Sequence, residues 1–256
     1  MRSLAYKLAA VFLGGAALFY FYTSHYEVPV LMYHQVVESD GQSSLQVSPE
    51  TFKRQMEFLK AHGYHVVPLE SLIRDLKNKK SIPLNTVAIT FDDGFLDNFQ
   101  NAFPVLKEMN FPATIFVITE NINKEHWLFE EDLRILDDSG ISIGSHTVTH
   151  AFLPDHSAEE VETELRHSKE HLEEILGHSV TLFSYPAGGV TPPIRQAVEK
   201  AGYVGAVTTN YGKTRHDPYA LHRVKVSDAH GNLFNFWFKV SGLSQLGKKR
   251  VEAKGW

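Results

Sequence analysis

The chain has 256 residues, 43% of them hydrophobic, no cysteine, and a formal net charge of -5 at pH 7. That length suits one α/β barrel or two small domains, and the acidic balance offers no basic face for a nucleic-acid partner. Without cysteine, disulfides, thiolate zinc sites, cysteine nucleophiles and a lipidated N-terminal cysteine are excluded, so any metal must be held by His, Asp or Glu.

Residues 8–22 form an apolar run behind Arg2 and Lys7, the pattern of a signal peptide or an N-terminal membrane anchor. Gly15-Ala16-Ala17 would serve as a cleavage site, and a cleaved chain would be secreted. The run nevertheless continues through Leu18, Phe19, Tyr20, Phe21 and Tyr22, aromatic residues that suit a membrane interface. From Leu4 the segment approaches the ~20 residues that span a bilayer. The expectation is therefore an uncleaved transmembrane helix over residues 1–26, with everything after Thr23 facing outward.

Residues 28–33 read as a strand that ends at His34, and a polar loop follows over 38–46. Ser48-Pro49 supplies an N-cap and a first-turn proline for a helix whose buried stripe is Phe52, Met56 and Leu59. A strand at 64–67 precedes a shorter helix through Leu69, Leu72, Ile73 and Leu76. Residues 86–89 are an unbroken apolar approach to Thr90-Phe91-Asp92-Asp93-Gly94 and read as a strand buried on both faces. Asp-Gly alone signals a hairpin. Phe95, Leu96, Phe99, Phe103 and Leu106 recur at helical spacing, so the unit is strand, acidic loop, helix.

The alternation continues with strands at 113–117, 141–145, 180–183 and 204–207, separated by helices at 130–139, 158–176 and 193–201 that each end at a glycine. A last strand at 221–226 precedes a helix at 232–240. Seven or eight such alternations without a compositional break point to a single distorted (β/α) barrel of seven or eight parallel strands over residues 27–243. Residues 244–256, with Lys248-Lys249-Arg250, read as a solvated basic tail.

Adjacent carboxylates at the end of a buried strand need a cation, a ligand or water, because an unpaired buried charge is costly. Ser145-His146-Thr147-Val148-Thr149-His150 follows another strand, and histidines four apart on one side of a helical turn can chelate one ion. His167 and His171 share that spacing but sit among charges in mid-helix, and read as a solvated face. A barrel brings successive strand ends to one rim. One Asp with two His leaves positions open for water and substrate, as catalytic zinc requires, and the second Asp is then free to act as a general base. The same ligand types also fit the facial triad of a non-haem Fe(II) oxygenase.

The motifs at Thr90-Phe91-Asp92-Asp93-Gly94 and Ser145-His146-Thr147-Val148-Thr149-His150 resemble those of the polysaccharide deacetylases of the NodB-homology type, carbohydrate esterase family 4. The resemblance implies Asp92 as base and Asp93, His146 and His150 as ligands of a divalent metal, zinc with cobalt or nickel as substitutes. Phe183-Ser184-Tyr185-Pro186-Ala187-Gly188 resembles the loop that lines the site, implying Tyr185 and Pro186 beside the substrate and an oxyanion donor in the Ala187 N–H. Ser184 and Ala187 depart from the Arg and Tyr found in many members, and Arg223 is a candidate to stand in for that Arg. Pro29-Val30-Leu31-Met32-Tyr33-His34 looks like the start of the circularly permuted branch that acts on poly-N-acetylglucosamine. The proton donor implied is His34, with His222, in Leu221-His222-Arg223, as its competitor.

These resemblances imply a metal-dependent N-deacetylase of an N-acetylglucosamine polysaccharide outside the cytoplasmic membrane, held to that membrane by its N-terminal segment. Peptidoglycan is the rival polymer, and an inactive carbohydrate-binding relative is the rival without chemistry. Trp127 and Tyr33 are the aromatic candidates to stack on sugars. Oligomeric state is not legible.

Overall fold

The structure is a computed structural model describing residues 2–38, 43–210, 217–228 and 232–244; in the N-terminal helix the side chains of 2–6, 8–11 and 24–25 are outside that description. After helix α1 (Arg2–His25) come β1 (Val30–Tyr33), β2 (Gln35–Val36), β3 (Gln46–Val47), α2 (Pro49–Ala61), β4 (His65–Val66), α3 (Leu69–Lys77) and β5 (Thr86–Phe91). A π-turn over Asn98–Ala102 leads into α4 (Phe103–Met109), followed by β6 (Thr114–Val117), α5 (Glu130–Asp138), β7 (Ser142–Ser145), α6 (Ala158–Leu176), β8 (Leu182–Ser184), α7 (Pro192–Lys200) and β9 (Gly205–Thr208). The chain ends its described part with β10 (Leu221–His222), β11 (Val224–Lys225) and α8 (Leu233–Val240).

Helix boundaries follow local chemistry. Ser48 caps α2 by accepting from the Thr51 N–H, with Pro49 in the first turn. Ser157 and Glu160 close a capping box on α6, and Gly177 ends it at φ +77°.

All the strand pairs are parallel, in the order β10-β9-β8-β7-β6-β5-β1-β11, while β4 adds to the start of β5. The last strand expected from sequence is broken. Its first half, β10, pairs with β9, and its second half, β11, pairs with β1, so the two ends of the sheet are joined through the single residue Arg223. This closes a near-barrel.

Inside, Val30, Ala88, Phe116, Leu182, Val207 and Leu221 form an apolar layer near the strand starts, and Leu69, Leu72 and Ile73 of α3 plug its floor. The larger core lies outside the barrel, where Leu31, Tyr33, Ile89, Phe91, Ile115 and Phe183 meet the surrounding helices. Period-two alternation thus divides each strand between the two cores. Above the inner layer the lining turns polar, with Thr90, Ser184 and Arg223, all buried.

The expected transmembrane helix is not supported by the described residues. A helix does form over Arg2–His25, but among the described residues no helix is long and apolar enough to cross a membrane. α1 runs unbroken through Gly14-Gly15, and Tyr20, Tyr22 and Thr23 bring polar groups to its last turns. Its last turn is tied to the barrel, the Tyr22 hydroxyl donating to Ser241 O at 3.0 Å. The expected basic tail lies outside the described residues beyond Ser244.

Gly144 gives a test of the inner packing. A Cβ there would stand 2.5 Å from the Phe116 ring. Gly144→Ala is expected to lower unfolding free energy by about 1–3 kcal/mol in urea denaturation, and Phe116→Leu in that background to restore part of it.

Candidate metal and catalytic centre at the barrel mouth

The C-terminal ends of β1, β5, β7 and β8 carry His34, Asp92-Asp93, His146 and Ser184-Tyr185 to one rim. Asp92 continues the β5 ladder, its N–H donating to Tyr33 O at 3.0 Å, and its side chain is buried. Asp93 then takes a left-handed conformation, φ +75°, and Gly94 follows at φ +85°. Non-glycine residues reach that region at a cost, and Asp is among those that tolerate it. An unbroken strand would place the two neighbouring carboxylates on opposite faces; the reversal lets both stand at the barrel mouth, Asp92 toward Arg223 and Asp93 toward His146 and His150. A Cβ on Gly94 would stand 3.2 Å from the Val117 side chain, so the turn is also packed tightly.

Asp93 Oδ1 lies 3.5 Å from His146 Nε2 and 3.6 Å from His150 Nε2. Ligand atoms bound to zinc at ~2.0–2.1 Å in tetrahedral geometry stand roughly 3.3 Å apart, so the three fit one ion with little movement. Among the described residues this is the one group able to hold a metal. His146 Nδ1 lies 2.7 Å from Ser184 O; as the donor there it leaves Nε2 as the metal-binding nitrogen. The two histidines are not on a helical turn, as the spacing had suggested. They occupy a loop after β7 that coils back through left-handed Thr147 and His150, φ +67° and +61°. Glu164 of α6 holds that loop, accepting from the Val148 N–H at 2.7 Å, the Thr149 N–H at 3.1 Å and the Thr149 hydroxyl at 2.9 Å. His167 and His171, farther along α6, are exposed.

Burial, with the neighbouring charge of Asp92, pushes the Asp93 carboxyl up to about 7. Burial lowers His146 to about 4, against the pull of Asp92, and lowers His150 as well. Two neutral imidazoles beside a carboxyl that resists ionising form a site that a divalent cation stabilises.

Asp92 is controlled differently. Arg223 Nη1 donates to its Oδ1 at 2.6 Å and Nη2 to its Oδ2 at 2.5 Å, a bidentate pair fully buried on the arginine side. Nη2 also donates to Ser184 Oγ at 2.9 Å and Nη1 to Thr90 Oγ1 at 3.2 Å. Burial alone would raise Asp92, but the charge and hydrogen bonds of Arg223, aided by His146 and His34, hold it well below the usual carboxylate range. The small Ser184 side chain leaves room for this guanidinium, which accounts for its departure from the related motif.

His34 stands between β1 and β2, lowered to about 4 by burial against the opposing pull of Asp92. Its backbone is held from the far side of the acidic loop: Asn98 Nδ2 donates to His34 O, Asn101 Nδ2 to Val36 O, and the Val36 N–H to Asp97 Oδ1, each at 2.7 Å. His222 is placed elsewhere, its Nδ1 donating to Asn210 O, and it lines a cavity of about 890 Å³ with Tyr26, Val30, Leu72 and Leu76.

Tyr185 is brought to the rim only by its main chain: its ring is in the core, its hydroxyl donates to Tyr219 O at 2.9 Å, and burial pushes its pKa up. Pro186 is buried, whereas Ala187 is exposed in a left-handed turn, φ +50°. Tyr33 is also a core residue, bonded to Gln55 Oε1 at 2.8 Å. Trp127 is half-buried on the loop that hydrogen-bonds to Gly94 O, stacked on Phe95 with ring centroids 4.6 Å apart. Glu164, Asp97, Asn98 and Asn101 carry no motif and were not foreseen; each is recognisable only once the loops it holds are in place.

Comparison with known proteins finds similar chains and structures. The family model described as polysaccharide deacetylase matches residues 79–206. YxkH of Bacillus subtilis is 39% identical over 204 residues, spanning 78% of this chain and 72% of its own. A poly-beta-1,6-N-acetyl-D-glucosamine N-deacetylase of Staphylococcus epidermidis is 30% identical over 209 residues, 75% of this chain and 72% of that protein. Among solved structures, the Streptococcus pyogenes deacetylase PplD, in complex with acetate, superposes with a TM-score of 0.76 at 27% identity, over 86% of this chain and 98% of that one.

Two outcomes are expected. Because protons compete with the cation at Asp93, zinc affinity measured by chelator competition should fall about tenfold for each pH unit below about 7, with His146 adding to the loss only near pH 4. Arg223→Met should strand a buried carboxylate and lower stability by about 3–5 kcal/mol in chemical denaturation, with Asp92→Asn in the same chain recovering much of it.

Proposed function

The chain belongs to the polysaccharide deacetylase family, and on that premise we propose that it removes N-acetyl groups from N-acetylglucosamine residues of an extracytoplasmic polysaccharide of the poly-N-acetylglucosamine type. The observation that carries this reading is the division of labour between neighbours. Asp92 is kept ionised by Arg223, while Asp93 is grouped with His146 and His150 as a cation site. A divalent metal held by those three residues would polarise the acetamide carbonyl and ease ionisation of the attacking water.

The residues supply the remaining steps. Asp92 accepts the proton of the water as its oxygen adds to the acetamide carbon; Arg223 occupies one acceptor position on each carboxylate oxygen and leaves others open. The Ala187 N–H, at the exposed left-handed turn, meets the oxygen that becomes negative. As negative charge develops beside it, His34 takes up a proton and delivers it to the nitrogen as the C–N bond breaks; the proton held by Asp92 returns to solvent, leaving acetate and a free amine. The imidazole is neutral at rest because burial lowers it to about 4, and negative charge developing beside it is the kind of neighbour that reverses such a shift. His34 is favoured over His222 as donor because it shares its electrostatics with Asp92 and His150.

The similarity to the Staphylococcus epidermidis enzyme supports poly-N-acetylglucosamine as substrate, and the strand bearing His34 at the front of the barrel agrees with the permuted arrangement. Peptidoglycan is the comparison polymer. The polymer reading places the barrel outside the cytoplasmic membrane.

Acetate release from de-acetylatable polymer, assayed side by side on poly-N-acetylglucosamine and peptidoglycan, should favour the former and stop on chelation. Asp92→Asn should cut kcat by about 10²–10⁴ yet still bind zinc, whereas Asp93→Asn and His146→Ala should lose both. His34→Ala should fall far below His222→Ala; an active Asp92→Asn, or equal rates for the two histidine variants, would remove the assigned roles.

A further inference from the structure

His146 and His150 are steadied in different ways. His146 is oriented through its ring, with Nδ1 2.7 Å from Ser184 O and the side chain 2% exposed. That is how metal-binding histidines are usually fixed, by a partner on the nitrogen facing away from the ion. The His150 side chain is 44% exposed, and among the described residues no hydrogen bond orients its ring. Its ring meets Asp93 and the His146 ring, the two imidazole centroids 5.0 Å apart.

His150 is placed by its main chain instead. It stands at φ +61°, three residues after Thr147 at φ +67°, and neither a β-branched residue nor a histidine enters the left-handed region without cost. Such a backbone persists only where its surroundings over-determine it. Here the hold comes from two sides. The chain just beyond β6 takes the carbonyls, the Thr119 N–H donating to Thr147 O at 3.2 Å and the Glu120 N–H to Val148 O at 3.0 Å. Helix α6 takes the other side. Ser168 Oγ lies 2.8 Å from Ser145 Oγ, which accepts from the Thr147 N–H at 3.3 Å. One turn earlier, the Glu164 carboxylate accepts from the Val148 N–H, the Thr149 N–H and the Thr149 hydroxyl. Thr149, the residue directly before His150, is thus bound twice by one side chain.

We propose that Glu164 is a positioning residue for the metal site: by holding residues 148–149 it keeps His150 Nε2 beside Asp93 and His146, and so sets the affinity of the site for a divalent cation. A ligand arm fixed in advance loses less conformational freedom on binding. The inference rests on the reading of Asp93, His146 and His150 as the ligand set. Glu164 acts through hydrogen-bond geometry rather than through charge. A glutamine there would offer its oxygen to the two N–H groups and its own N–H to the Thr149 hydroxyl, which accepts as well as donates. An alanine would offer neither.

The test is zinc affinity of the full chain, measured by competition with a chromogenic chelator, with the visible spectrum of bound cobalt as second readout. Glu164→Ala should bind zinc about 10–100-fold more weakly than wild type, and its cobalt bands should move toward those of His150→Ala. Glu164→Gln should recover most of that loss, whereas Glu164→Leu, which keeps bulk without acceptors, should not. In a His150→Ala chain, Glu164→Ala should cost nothing further, because the arm it holds then carries no ligand. Wild-type affinity in Glu164→Ala would overturn the proposal. So would a Glu164→Gln variant as weak as Glu164→Ala, which would make the effect one of charge, or a full effect of Glu164→Ala in the His150→Ala chain, which would make it one of folding. A wild-type chain that binds no zinc would overturn it together with the cation site, whereas zinc binding without acetate release would count against the deacetylation alone.

Discussion

The buried ion pair between Asp92 and Arg223 is the constraint on which the site and the closure of the barrel both rest. Its Nη–Oδ distances are 2.6 and 2.5 Å, and both side chains are almost wholly withdrawn from water. Such pairs seldom add net stability relative to apolar residues, because desolvation offsets the attraction. Their value lies in what they exclude. With Arg223 in place, Asp92 rests ionised and able to accept a proton, and with Asp92 in place, the Arg223 guanidinium is held inward. Arg223 is also the single residue at which the chain leaves the β9 edge and joins the β1 edge. The seam of the barrel and the charge state of the base are thus settled by one residue.

Much of the barrel was legible because parallel strands buried on both faces are unbroken apolar runs, and because helices end at Gly140, Gly177 and Gly202. The break at Arg223 was not legible. Residues 221–226 look like one strand, and nothing local records that its halves pair with opposite edges. For the N-terminal segment, apolar composition predicts a helix, which forms, and the described residues contain none long and apolar enough to cross a bilayer, so the spanning part of the expectation is not supported.

The ligand set was visible in the sequence as chemistry before it was visible as geometry. Asp93, His146 and His150 converge, yet through loops of left-handed residues rather than through the helical turn that a four-residue spacing suggests. Arg223 could only be guessed at, because 131 residues separate it from Asp92 and no spacing rule reaches that far. Tyr185 illustrates the opposite error. A motif position marks where the main chain passes, and here the side chain turns into the core.

The π-turn Asn98–Ala102 shows how such distant constraints become constraints on chain length. A π-turn amounts to one residue inserted into a helix, and its two amides, Asn98 and Asn101, both end on carbonyls of the segment carrying His34. Loss of any single residue between Asp97 and Phe103 would restore a regular helix and swing its remainder through about 100°, roughly the angle of one residue. Substitutions in this stretch are a matter of degree. A change of length would detach the front strand's histidine from the acidic loop in one step, so the count of residues here constrains the site separately from their identities.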